Sequence, residues 1–135
     1  MKALVVDDHL VTRMVLHGVL CDHAEVLCCV DGNEAVLACK RALDSGDPYD
    51  LICMDVLMPV MGGIEALKLI RMEEELRGRL RPRAAKVVVI TAADDIATIN
   101  EAFRGLSDAY VIKPIDVREF LDIVQCWFPV GESAG

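Results

Sequence analysis

Short apolar runs alternate with amphipathic stretches along the whole chain. Residues 3–6 form the first run, and Asp7 and Asp8 end it. From about residue 10 to residue 21 the apolar positions Leu10, Met14, Val15 and Val19 recur at helical spacing. Residues 25–30 read as a second strand closed by Asp31 and Gly32, and Asn33 is placed to cap a helix running to about Leu43. A Gly-Asp-Pro loop at 46–48 leads to a third strand at 50–54, again ended by an acid, Asp55. Pro59 and Gly62-Gly63 mark a loop, and the helix predicted over 64–76 puts Leu67, Ile70 and Leu76 on one face. A basic connector at 77–83, carrying Arg77, Arg79, Arg81 and Arg83, precedes a fourth strand at 86–90 that ends at Thr91. Asp94 is placed to cap a helix to about Arg104, the fifth strand covers 108–112 and ends at Lys113-Pro114, and Asp116 caps a last helix to about Trp127. The expected domain is residues 1–128, with a short tail at 129–135.

Five apolar strands alternating with five helices predict an α/β domain with a parallel sheet covered on both faces. Right-handed crossovers reduce the topology to a doubly wound sheet. At 135 residues, 54% of them hydrophobic and 27% charged, the chain is sized for one packed domain and is not disordered. Its longest apolar runs fall well short of the ~20 residues of a membrane helix. No basic segment precedes an apolar stretch at the N-terminus, so a cytoplasmic location is expected. A net charge of −8 lacks the basic footprint of a nucleic-acid binder, and no direct nucleic-acid or membrane contact is expected. The six cysteines, Cys21, Cys28, Cys29, Cys39, Cys53 and Cys126, have no zinc spacing and read as buried reduced thiols.

Parallel strands share one C-terminal edge, and ligands of such sheets bind there. The residues at that edge are Asp7, Asp8, Asp55, Thr91 and Lys113: three carboxylates, one hydroxyl and one ammonium. Two carboxylates about 5 Å apart repel by roughly 3 kcal/mol at an effective dielectric near 20, so three together call for a cation. Oxygen donors favour a hard ion, Mg2+ first, which shares its shell with phosphate oxygens. A carboxylate nucleophile beside a metal, a lysine and a hydroxyl suits transfer of a phosphoryl group onto Asp55, by positioning and charge neutralisation.

These residues carry a resemblance. Val5-Val6-Asp7-Asp8, the run from Met54 to Gly63 with Asp55 and Pro59, Val89-Ile90-Thr91-Ala92, and the run from Asp108 to Pro114 resemble the receiver domain of two-component response regulators, the chemotaxis-regulator-like superfamily, from Lys2 to about Phe128. Arg13 falls where the family's first helix often has an arginine. The resemblance implies a flavodoxin-like (βα)5 fold with strand order 2-1-3-4-5. It implies Asp55 as phosphoacceptor, Mg2+ held by Asp8, Asp55 and the Leu57 backbone carbonyl with Asp7 acting through water, and Lys113 paired with the phosphoryl oxygens. Thr91 then moves to the phosphoryl group, Tyr110 turns inward as the aromatic switch, and Lys113-Pro114 is cis.

The implied function is acceptance of a phosphoryl group from a sensor histidine kinase or a His phosphotransfer protein, followed by a switch in the face of the fourth helix, fifth strand and last helix. Candidate face residues are Ile96, Ile99, Glu101, Phe103, Val111 and Arg118, and the output is contact with a downstream protein target. The chain is expected not to be an enzyme beyond its own phosphorylation and slow dephosphorylation, and to be a monomer or a phosphorylation-linked dimer. The family often has Asp where Gly62 stands, which predicts a looser loop. Leu57 and Ala93, two residues after Asp55 and Thr91, are apolar and poorly suited to position an attacking water.

Each residue also has a plainer reading: Asp8 as a helix cap, Tyr110 as a core aromatic, Met54, Met58 and Met61 as packing, the arginine run as a solvated connector. His9, His17 and His23 read as surface or packing residues, with His9 bordering the acidic pair. Met1 lies close to the first strand and no output domain follows residue 135, so a stand-alone regulator is expected first. A phosphorelay intermediate or sink, or a receiver excised from a multidomain regulator or hybrid kinase, is the alternative. A metal-dependent aspartyl phosphatase is disfavoured because Leu57 stands where its second Asp would, and a flavin module because its phosphate loop does not begin with two acids.

Overall fold

The computed structural model describes residues 1–80, 82–92 and 96–129, the side chains of Ile96 and Thr98 excepted. Strands β1 (Lys2–Val6), β2 (Glu25–Cys29), β3 (Leu51–Asp55), β4 (Lys86–Thr91) and β5 (Ala109–Ile112) form one parallel sheet in the order β2-β1-β3-β4-β5. Helices α1 (Leu10–Leu20), α2 (Gly32–Asp44), α3 (Gly63–Leu76), α4 (Ile96–Ala102) and α5 (Val117–Trp127) follow the strands in turn. The expected doubly wound sheet and its strand order are those observed. Strand alternation sorts the core into two layers. Leu4, Val6, Ile52, Met54, Val87 and Val89 pack with Ala35 of α2, Leu67 and Ile70 of α3, and Phe103 just after α4. Ala3, Val5, Leu51, Cys53, Val88 and Ile90 pack with Leu16 and Leu20 of α1 and Phe120 and Val124 of α5.

Burial departs from the pattern in several places. Strand β2 is an edge strand, and Leu27 and Cys28 are exposed where burial on both faces was expected. Helix α1 turns Leu16 and Leu20 inward and leaves Leu10 (61%), Val11 (72%) and Met14 (64%) exposed, so the predicted face points largely to solvent. Leu76 is exposed too, and Glu74 takes the buried place in the last turn of α3. Asp31, not Asn33, caps α2, accepting the Glu34 N–H at 2.9 Å. Asp116 caps α5 as expected, accepting from Arg118 and Glu119. Asp94, Arg81 and the tail from residue 130 lie outside the described residues.

Cys29, Cys39 and Cys53 are buried, and burial pushes the Cys29 and Cys39 thiols up to about 12. Cys21, Cys28 and Cys126 are exposed, against expectation.

Glu74 belongs to a buried charge network at the edge of the sheet opposite the acids. Arg71 donates to Glu74 Oε1 at 2.8 Å, to the Ala85 carbonyl at 2.8 Å and to the Leu106 carbonyl at 2.8 and 3.0 Å. Glu74 Oε2 accepts the Ala85 N–H at 2.8 Å, and Asp108 Oδ2 accepts the Val87 N–H at 2.8 Å. One guanidinium thus ties α3 to the starts of β4 and β5.

At the other edge, glycine lets α3 approach β3. A Cβ on Gly63 would lie 2.2 Å from the Asp55 carbonyl oxygen. Gly63→Ala is therefore expected to destabilise the fold by about 2–3 kcal/mol, as overpacking does, with urea unfolding as the readout. It should also displace Asp55, so an unchanged unfolding midpoint would show that the backbone is not pinned there.

Candidate functional site

Register alone brings the acids together. Val6 pairs with Met54, so Asp7 and Asp55 follow side by side at the ends of adjacent strands. Asp55 pairs with Ile90 and Thr91 with Ile112, which places the Thr91 and Lys113 positions next along the same edge. The Lys113 N–H donates to the Thr91 carbonyl at 2.7 Å, and the Lys113-Pro114 peptide is cis, as expected. Lys113 Nζ lies 3.3 Å from Asp7 Oδ2 and 3.3 Å from Asp55 Oδ1.

Asp7 and Asp55 are buried, Asp8 lies at the mouth, and ligand atoms of Asp7, Asp8, His9 and Asp55 all lie within 4.8 Å of one another. Among the described residues, buried Asp55 Oδ2 accepts no hydrogen bond, and buried Asp7 Oδ2 faces the Lys113 ammonium at 3.3 Å. Arg13 donates to the Asp7 backbone carbonyl at 2.8 Å and so holds the end of β1 from α1.

Burial first, and the Asp7 charge second, push the Asp55 carboxyl up to about 6, against the pull of Lys113. Burial works against the Lys113 charge, yet Asp55 and Asp7 outweigh it and hold the ammonium above its usual range. A raised carboxyl means that the folded state binds the Asp55 proton more tightly than the unfolded chain. Its penalty is absent below the unfolded value of 3.8 and complete above about 6. In chelator, the stability advantage of Asp55→Asn over the wild type should therefore grow as pH rises from 4 to 7. A difference flat in pH would contradict the geometry.

The sequence pattern of the family described as the response regulator receiver domain matches residues 3–125. This chain belongs to that family. Among its relatives is the sensory/regulatory protein RpfC of Xanthomonas campestris pv. campestris, 33% identical over 122 residues that cover 90% of this chain and 16% of RpfC. The receiver thus spans less than a fifth of that protein's length. Among solved structures, the receiver domain of the sensor histidine kinase PA1611 of Pseudomonas aeruginosa, described with a magnesium ion in its active-site cleft, is 28% identical with a TM-score of 0.75, covering 93% of this chain and 95% of that one. A chain in the co-crystal of the Saccharomyces cerevisiae phosphotransfer protein Ypd1 with the receiver domain of Ssk1 is 26% identical with a TM-score of 0.78, covering 94% of this chain and 88% of that one.

The rest of the receiver site sits on β4, β5 and the β3–α3 loop. Buried Thr91 has its hydroxyl 3.3 Å from the Ala92 carbonyl, and the Tyr110 hydroxyl lies 3.4 Å from the Asn100 carbonyl, outward over α4. Leu57 is 74% exposed beside the acids, whereas Ala93 lies outside the described residues. The β3–α3 loop around Gly62 is tied to its neighbours by backbone hydrogen bonds. Its Met61 carbonyl accepts the Gly32 N–H at 3.0 Å, and Gly63 N–H reaches the Val56 carbonyl at 2.9 Å. The Met61 N–H closes a tight turn on the Pro59 carbonyl at 2.7 Å, with Val60 at φ 69°.

Of the expected output face, Glu101 and Arg118 are exposed, but Ile99, Phe103 and Val111 are buried in the core and cannot contact a partner as they stand. The side chain of Ile96 lies outside the described residues. His9 borders the acidic pair, its Nδ1 3.3 Å from Asp7 Oδ1 and 3.2 Å from Asp8 Oδ1. Met54 is buried, and Met58 and Met61 pack against the core, as expected. Among the described residues no helix is long and apolar enough to cross a membrane.

Proposed function

We propose that this receiver accepts a phosphoryl group on Asp55 from a histidine-bearing partner and uses the charge it gains to bias a protein-binding surface. The observation that carries this reading is the meeting of buried Asp7 and Asp55 with Lys113 at 3.3 Å from each. An Asp55 carboxylate oxygen forms the new P–O bond as the bond to the donor's imidazole nitrogen breaks, and that nitrogen takes up a proton. Lys113 sits where it pairs first with the Asp55 carboxylate and then with the incoming phosphoryl oxygens. Asp7, whose backbone carbonyl accepts from Arg13, keeps a second negative charge beside Asp55 on the same ammonium.

The donor set fits a hard divalent ion, Mg2+ first: carboxylate oxygens of Asp7, Asp8 and Asp55 lie within 4.8 Å of one another, and among the described residues buried Asp55 Oδ2 accepts no hydrogen bond. Asp8, Asp55 and the Leu57 carbonyl would hold it, with Asp7 through water. Such an ion supplies positive charge that offsets the acids and the phosphoryl oxygens.

Phosphorylation takes Asp55 from about −1 to about −2 and adds acceptor oxygens. Thr91, whose present partner is only the adjacent Ala92 carbonyl, is placed to rotate toward them. Tyr110 then follows inward from its place over α4, and the α4–β5–α5 surface shifts in population. The chain's chemistry ends at its own acyl phosphate, which decays slowly because exposed Leu57 cannot position water.

A relay role is the second reading. Exposed Leu10, Val11 and Met14 lie on α1, which starts directly after Asp7, Asp8 and His9, and so offer an apolar seat for a helical phosphotransfer partner next to the acceptor. Likeness to a chain in the Ypd1–Ssk1 co-crystal supports it. Transfer of the phosphoryl group onward to a phosphotransfer protein, one for one, would favour relay over switch.

The deciding experiment is incubation with a small acyl phosphate, read by intact mass. A gain of one phosphoryl group with Mg2+ and none in chelator is expected. No gain from the acyl phosphate or from any histidine kinase would overturn the proposal.

A further inference from the structure

We propose that His9 is a direct nitrogen ligand of the cation site, so that this receiver carries a mixed nitrogen–oxygen centre and discriminates less against borderline transition ions than an all-oxygen pocket does. The inference rests on the reading of Asp7, Asp8 and Asp55 as a divalent-cation pocket. Three observations carry it. His9 Nδ1 lies 3.2 Å from Asp8 Oδ1 and 3.3 Å from Asp7 Oδ1. Neighbouring ligands of an octahedral ion with bonds of about 2.1 Å sit about 3.0 Å apart, so the nitrogen and Asp8 Oδ1 are spaced as two neighbouring vertices of one polyhedron. Second, the backbone of His9 is fixed while its ring stands at the surface, touching the acids through Nδ1. Its N–H donates to Asp7 Oδ1 at 2.8 Å and its carbonyl accepts the Arg13 N–H at 3.2 Å, but the side chain is 67% exposed. Rotation of the imidazole toward an ion thus displaces no packed neighbour. Third, the fully buried Asp7 and the nearly buried Asp55 share the Lys113 ammonium at 3.3 Å from each, and among the described residues Asp55 Oδ2 accepts no hydrogen bond, so the cluster is a built pocket and not a solvated acidic patch.

Imidazole suits the later first-row ions, whereas Mg2+ takes oxygen. A neutral His9 should therefore add little to Mg2+ affinity and much to Co2+ affinity. It also places one ligand on the residue that begins α1, and so ties occupancy of the pocket to the helix carrying the exposed Leu10, Val11 and Met14.

The test is calorimetric titration of the full chain at pH 8 with Mg2+ and with Co2+, in the wild type, His9→Asn and Asp8→Asn. Asp8→Asn subtracts Co2+ bound elsewhere, at His17, His23 or the exposed cysteines. The ratio of Co2+ to Mg2+ affinity should fall at least tenfold in His9→Asn, with Mg2+ affinity changed less than threefold. Electron spin echo spectra of the Mn2+-loaded protein should show coupling to a directly bound imidazole nitrogen in the wild type and none in His9→Asn. Normal Mg2+ binding with an unchanged ratio, or no imidazole coupling, would reduce His9 to a hydrogen-bonding neighbour and overturn the inference alone. Absence of any Mg2+ or Co2+ binding sensitive to Asp8→Asn would remove the cation pocket itself, and the inference with it.

Discussion

Asp55→Asn is expected to abolish phosphoryl uptake and to make the cation-free protein more stable. The two effects share a cause. Asp55 lies buried beside Asp7, and its carboxyl is pushed up to about 6 from 3.8. Ionising it at pH 7 in the folded state therefore costs up to about 3 kcal/mol relative to the unfolded chain, at 1.36 kcal/mol for each pK unit. An amide carries no charge to desolvate and still offers an oxygen to the Val56 N–H, which Asp55 Oδ1 accepts at 3.0 Å. It loses the ion pair with Lys113, so a net gain of about 1–2 kcal/mol is expected in chelator at pH 7.5, by urea unfolding. Added Mg2+ should stabilise the wild type more than the variant and close the gap. A variant less stable than the wild type in chelator would mean that the pocket is not strained by its own charge.

The largest loss of stability is expected far from this site. Arg71→Leu removes the guanidinium that satisfies Glu74 Oε1 and the carbonyls of Ala85 and Leu106. Glu74 would then stay buried with one N–H for two oxygens. Breaking one partner of such a buried pair costs about 3–5 kcal/mol. The double change Arg71→Leu with Glu74→Leu should cost less than the sum of the single changes, because no charge is left stranded; the coupling from the four unfolding midpoints checks this. Additive losses would show that the network contributes nothing as a unit. What folded protein remains should still take up a phosphoryl group, since the network lies at the opposite edge of the sheet.

The contrast between these two regions says what the sequence made legible. The site was readable because parallel strands end at one edge, so an acid, a threonine or a lysine that closes an apolar run has a known destination. Asp7, Asp55, Thr91 and Lys113 follow from that rule, and the doubly wound fold follows from the alternation of runs. The Arg71 network was hidden because Arg71, Glu74 and Asp108 are charged residues of the kind that solvated helix faces and strand ends carry; only the packing of α3 against the starts of β4 and β5 draws them together and buries Glu74. Helix α1 failed for another reason. Apolar residues occur on more than one of its sides, so spacing predicts a helix without choosing its inner face, and the short link through Asp7, Asp8 and His9 fixes that choice. Cys28 and Leu27 were misread because a run of apolar residues in an edge strand looks like one in a central strand. Ile99, Phe103 and Val111 were assigned to an output surface by their elements, whereas side-chain direction on those elements sends them inward.

The most direct test of the account is to identify the modified side chain. The protein is incubated with an acyl phosphate and Mg2+, any acyl phosphate is trapped by borohydride reduction, and the peptides are sequenced by mass. Reduction at Asp55 alone, dependent on Mg2+, is the predicted result. Reduction at another carboxylate, or equal labelling of Asp55 in chelator, would contradict it.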